Sequence, residues 1–110
     1  MASIFTDALV PQVASKAVGT SAVRISTVTQ LVIAMTIEAN SANTGILFVG
    51  DASVSATNCL HLSAGDSYSP PVVYAGGTNA REYDLSEWYL RGSAANLKAT
   101  ILKIRKAIQV

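Results

Sequence analysis

From residue 30 to residue 38 the chain alternates: Leu31, Ile33, Met35 and Ile37 interleave with Gln30, Val32, Ala34, Thr36 and Glu38, a period of two over nine residues. A helix gathers residues three and four apart on one face, whereas a strand sends successive side chains to opposite faces. The segment therefore predicts a half-buried strand with its odd-numbered residues facing a core. The flanking sequence has the same grammar. Residues 40–45 (NSANTG) are dense in turn formers, and the apolar run 46–49 that follows ends at Gly50-Asp51, so a hairpin is the simplest connection. Residues 59–62 form another brief strand, punctuated by Ser63-Ala64-Gly65-Asp66.

Residues 85–91 place Trp88 with Leu90 on one face and Tyr89 with Arg91 on the other before stopping at Gly92. Residues 97–108 fit both periods, because Leu97, Ala99 and Ile101 alternate while Leu97, Ile101, Ile104 and Ile108 keep helical spacing. Their β-branched content and context favour a strand, in which the shift of apolar parity from Ile101 to Leu102 reads either as a bulge or as a hint that both faces of the strand are covered. Pro70 and Pro71 confine residues 68–74 to an edge or loop, and residues 75–79 (AGGTN) read as the most flexible stretch. Short strands separated by turns predict an all-β fold, a single small antiparallel β-sandwich or jelly-roll-like β-barrel. The domain is expected over 22–110. Pro11 and the run Gly19-Thr20-Ser21 make 1–21 an extended N-terminal arm or irregular edge.

A length of 110 residues suits one hydrophobic core. Only 14% of residues are charged, a low share that predicts surface covered by partners. The net charge of +1 supplies no global field to draw in nucleic acid or an anionic membrane. Lys98, Lys103, Arg105 and Lys106 nevertheless hold half of the eight basic residues, and no acid follows Glu87. No aromatic lies among them to stack a base, so the segment is expected to be a solvated strand face or to pair with acids on a partner. Cys59 is the single cysteine, which excludes an internal disulfide. The opening MASIFTDALVPQ has no basic run before an apolar one, and no stretch reaches the roughly eighteen apolar residues of a spanning helix. A soluble protein made in the cytosol is expected.

Chemistry is sparse. Any Ser or Cys nucleophile would have to use His61, the only histidine. Cys59 and His61 lie two apart on one strand face, a spacing able to supply two metal ligands, but only Asp51 and Asp66 are near enough in sequence to add others. A small apolar role for Cys59 and a polar strand role for His61 are the expectation. Asp51 follows Gly50 and Asp66 follows Gly65, where carboxylates cap turns, and Glu82, Asp84 and Glu87 lie in a polar stretch beside Arg81 and Arg91. There is no Walker loop, no dinucleotide-binding glycine pattern and no paired CxxC. The sequence thus predicts no catalytic, cofactor-binding or metal-ligating residues and no enzyme.

The elements Val49-Gly50-Asp51, Val54-Ser55, Leu60 to Leu62, Ala64-Gly65-Asp66-Ser67-Tyr68, then Asp84-Leu85-Ser86 with Trp88-Tyr89-Leu90 and Gly92 resemble small virion proteins of tailed bacteriophages, among them capsid decoration or cement proteins. The match covers somewhat less than half the chain, and Asn58-Cys59 stands where the pattern has a glycine. The resemblance implies a structural protein of the virion, made in the host cytoplasm. It would assemble as a homo-oligomer, commonly a trimer, on the outer surface of the capsid and clamp major capsid protein subunits. It implies no cofactor, small-molecule substrate or membrane partner, and nucleic acid is not an expected partner. Trp88, Tyr83 and Tyr89 are the aromatic candidates for anchors, and of these Trp88 is expected in the core instead. The alternative is a component of the phage neck, tail or head fibre; behind it stand a nucleic-acid-binding module using residues 98–106 and a cupin-like enzyme, whose metal sites need several histidines.

Overall fold

Ten strands carry the backbone hydrogen bonding of the computed structural model, which describes residues 9–71 and 82–106. They are β1 (Leu9–Val18), β2 (Val23–Arg24), β3 (Leu31–Val32), β4 (Ala34–Ala39), β5 (Leu47–Gly50), β6 (Leu60–Leu62), β7 (Ser67–Tyr68), β8 (Tyr83–Asp84), β9 (Tyr89–Gly92) and β10 (Leu97–Lys106). One antiparallel sheet has the order β1-β10-β4-β7, a second the order β2-β9-β5-β6, and β3 pairs with β8 alone. The all-β antiparallel sandwich expected from the sequence is what forms, and neither four-stranded sheet closes into a barrel.

The core lies between the sheets. Met35, Ile37 and Ala39 of β4, Leu97, Ala99 and Ile101 of β10, and Val18 of β1 meet Leu47 and Val49 of β5, Leu62 of β6 and Leu90 of β9 in one buried cluster. Most of these side chains are aliphatic, and burying each larger one contributes about 1.5–3 kcal/mol. Among the described residues no polar or charged side chain is buried. Phe48 points to the opposite face of β5 yet is only 5% exposed. Its cross-strand neighbour His61 covers it, ring edge to ring face with centroids 5.3 Å apart.

Connections mostly cross from one sheet to the other. Residues 40–45 do turn, with Asn43 N–H donating to Asn40 C=O over 3.0 Å and Asn40 Oδ1 accepting from Ala42 N–H. However, β4 and β5 lie in different sheets, so this turn is an inter-sheet corner and not the expected hairpin. Among the described residues the only consecutive strands paired with each other are β5 and β6. Gly65 supplies the left-handed conformation (φ 86°) in the corner before β7. Gly92 closes the other end of the sandwich: its N–H donates to Gly19 C=O over 2.7 Å, and a Cβ there would lie 2.7 Å from Leu97 Cδ1.

Three expectations are corrected. The alternating segment 30–38 is two strands in two sheets, broken at Ile33: Leu31 is exposed and Val32 buried, so the inward phase flips before Met35, Ile37 and Ala39 take it up. The parity shift at Ile101 and Leu102 is not a bulge. Both ladders run through it unbroken, Ala14 opposite Ile101 and Val13 opposite Leu102 on one side, Ile37 and Thr36 on the other. Leu102 and Ile104 therefore turn to the outer face, where they are half-buried. The segment 85–91 opens with a 3-10 turn, Leu85–Glu87, and only then becomes strand. Within the expected arm, residues 9–18 are an edge strand paired with β10 over ten residues. Residues 1–8, the stretch 75–79, Arg81 and Ile108 lie outside the described residues.

Candidate binding surface

Local hydrogen bonding accounts for Asp51, Asp66 and Asp84. Asp51 Oδ1 accepts from Ser53 N–H at 2.9 Å and Ser53 Oγ at 2.6 Å, which holds its carboxyl below the ordinary aspartate value. Asp84 Oδ1 accepts from Ser86 N–H at 3.0 Å, capping the 3-10 turn, and from Gln30 N–H at 3.3 Å, fastening that turn to the segment before β3. The Ser86 bonds, with that of Gln30, hold its carboxyl down as well. Asp66 Oδ2 accepts from Ser63 N–H at 3.1 Å across the Gly65 corner. Asp51 and Asp66 cap turns, as their sequence contexts indicate, and Asp84, read from the sequence only as part of a polar stretch, caps one too.

Cys59 and His61 do not form a metal or nucleophile pair. The His61 ring is engaged twice, by Phe48 and by Ala56 C=O, 3.0 Å from Nε2. Cys59 is half-buried just before β6, and burial pushes its thiol up. No group of three or more His, Cys, Asp or Glu side chains converges among the described residues.

The aromatic candidates divide. Trp88 and Tyr83 pack against the core and against each other, edge to face at 5.8 Å, and the Tyr83 hydroxyl donates to Pro71 C=O. Both are structural. Tyr89 faces outward into an open hollow of about 490 Å³ that it shares with Arg24, Asp51 and Glu87. Arg24 Nε donates to Tyr89 Oη over 2.8 Å, while its guanidinium carbon is 5.7 Å from the ring centroid. The hydrogen bond at the hydroxyl end dominates, because that distance is near the outer limit for a cation over a ring. A second open hollow, about 360 Å³, lies between Trp88, Tyr68, Cys59 and Leu60.

The surface at which the sequence only hinted is the outer side of the β1–β10 pair. Val13 is 68% exposed, and on the same face, one strand inward, are Leu102 and Ile104. The parity shift at Ile101 and Leu102 was its signal: an uninterrupted strand with apolar residues in both phases has two apolar faces. Elsewhere Val28, Leu31, Ile46 and Leu60 are also exposed. Of the basic residues in 98–106, Lys98 lies on this outer face, whereas Lys103 and Arg105 lie on the opposite one, where Lys103 Nζ donates to Gln30 Oε1 over 2.9 Å. Compared with protein-family models, curated proteins and solved structures, the chain matches none of them.

Proposed function

We propose that this chain is a structural binding protein that decorates the outer surface of a tailed-phage head and bridges its major capsid subunits. The observation that carries the binding part is the second apolar face of β10, where Val13, Leu102 and Ile104 form an outward row on a sandwich whose core is already complete. The hollows are open, and Asp51, which lines both, caps a turn, which favours surface contact over chemistry. The phage part rests on the sequence resemblance in residues 49–92. Attachment is multivalent: weak contacts from an oligomer to a repeating lattice combine through effective concentration.

The test is sedimentation of the full chain with head shells of the source phage stripped of their outer proteins, together with its solution mass by light scattering at low and high salt. Saturable binding at a fixed ratio to shell subunits, by an oligomer that persists in salt, is the expected result. Absence of binding to heads with binding to isolated tails or necks would move the protein to those structures. Absence of both would remove the virion reading.

A further inference from the structure

Among the described residues β1 has no partner strand on the side away from β10, and that edge has a definite hydrogen-bonding phase. Asn40 N–H donates to Lys98 C=O over 3.1 Å, so the even-numbered residues of β10 turn their backbone groups toward β4 and the odd-numbered ones toward β1. Through the register Gln12 with Lys103, Ala14 with Ile101 and Lys16 with Ala99, the even residues of β1 complete that ladder. Leu9, Pro11, Val13, Ser15 and Ala17 consequently direct their backbone groups away from the sheet, at the end of the strand order. Pro11 falls in the outward phase, where its missing N–H breaks no pairing with β10. Val13, Ser15 and Ala17 each present a donor and an acceptor to whatever lies alongside.

Edge strands are usually blunted by shortness, charge or a bulge. β1 has ten residues in an unbroken register, exposed small side chains at Ala14, Ser15 and Ala17, and a single charge, Lys16. Together β1 and β10 contain Lys16, Lys98, Lys103, Arg105 and Lys106, five of the chain's eight basic residues, and no acid. Pairing two copies edge to edge would bring these cations together. Nucleic acid would find no aromatic residue in either strand.

We propose that β1 receives an extended strand from a partner protein, one that alternates acidic and aliphatic residues, as a fifth strand of the β1-β10-β4-β7 sheet. This inference rests on the protein-binding reading above and names its docking edge. In such a strand one face places acids beside Lys16, with Lys103 a strand further in. Lys103 lies about 10 Å away, two strand spacings, which is the screening length at roughly 0.1 M salt, so its contribution grows as the salt is lowered. The other face lays aliphatic side chains along Val13, and beyond it Leu102 and Ile104. Main-chain bonds supply the attachment and the two faces supply the selectivity.

The test titrates the isotope-labelled full chain with an end-capped decapeptide of alternating Glu and Val, read by amide NMR shifts and hydrogen exchange. The Val13, Ser15 and Ala17 amides should shift and exchange at least about tenfold more slowly, with Gln12, Ala14 and Lys16 little changed. A peptide with Lys in place of Glu should not bind. Ser15→Pro, which removes an outward donor without touching the β10 ladder, should abolish binding while the melting curve and spectral dispersion persist. The proposal is overturned by shifts confined to other residues, by equal binding of the Lys peptide, by protection of the same amides on self-association without peptide, or by a DNA duplex giving the same shifts at physiological salt. Equal attachment of wild type and Ser15→Pro to phage shells would overturn the edge assignment and leave the surface-binding reading standing. Failure of the wild type to bind any virion part would remove that reading, with the peptide titration still deciding the edge.

Discussion

The Ile33 N–H donates to the Ile104 carbonyl over 2.8 Å, one residue out of step with the ladder that pairs Ala34 with Ile104. This local bulge turns β3 out of the β1-β10-β4-β7 sheet and onto β8, and it inverts which residues face the core. β10 passes the same level without a break, so its alternate residues have opposite energetic roles.

Ile101 is 1% exposed in the core and Leu102 lies on the outer face. Ile101→Ala should destabilise the fold by about 2–5 kcal/mol and Leu102→Ala by less than about 1.5 kcal/mol. Urea unfolding followed by Trp88 fluorescence checks both. Equal losses would mean that the register slips between the two residues.

Gly92 and Gly65 should resist substitution for different reasons. A Cβ at position 92 would lie 2.7 Å from Leu97 Cδ1 and 2.9 Å from Ala94 C=O, so Gly92→Ala should cost about 1–3 kcal/mol through overpacking. At position 65 nothing lies within 4 Å, and Gly65→Ala should cost about 1–2 kcal/mol through its φ of 86° alone. Thermal melts of the two variants, with Gly65→Asn as a less strained control, separate clash from conformation.

Asp51 and Asp84 are both held below the ordinary aspartate value of 3.8 by bonds to Ser53 and Ser86. A depressed folded-state value makes the contribution to stability full above 3.8, and protonation removes it as pH falls through the lower folded values. The melting temperature should therefore drop on acidification from about pH 6 to pH 2, and Asp51→Asn with Asp84→Asn should flatten that fall.

His61→Ala should uncover Phe48 and remove an edge-to-face pair, a loss of about 0.5–1.5 kcal/mol beyond the area exposed. His61→Phe should recover most of it in urea melts. Iodoacetamide should alkylate Cys59 more slowly than an exposed cysteine peptide at the same pH, since burial raises its thiol.

Periodicity and turn chemistry made β5, β6, β9 and β10, the turns at 40–45 and 63–66, and the capping roles of Asp51 and Asp66 legible in the sequence. These depend on side chains close together in the chain. What it did not reveal depends on residues far apart: that β4 and β5 belong to opposite sheets, that the phase inverts at Ile33, and that Trp88 and Tyr83 close on each other instead of on a partner. The outward row on β10 was visible as a parity shift, but its meaning required the two neighbouring ladders that hold the strand straight. A bulge and a two-faced strand produce the same local sequence.

β10 lies between β1 and β4, and β9 between β2 and β5. Both follow in sequence the neighbours they join, so β1 has no pairing partner among the described strands until β10 is made and β2 none until β9 is made, whereas β4 and β5 already have β7 and β6. Val18, Met35 and Ile37 stay uncovered on the nascent chain until Leu97, Ala99 and Ile101 leave the ribosome. Closing this core therefore waits on pairings between residues far apart in sequence, a slow step that leaves apolar surface exposed in the meantime.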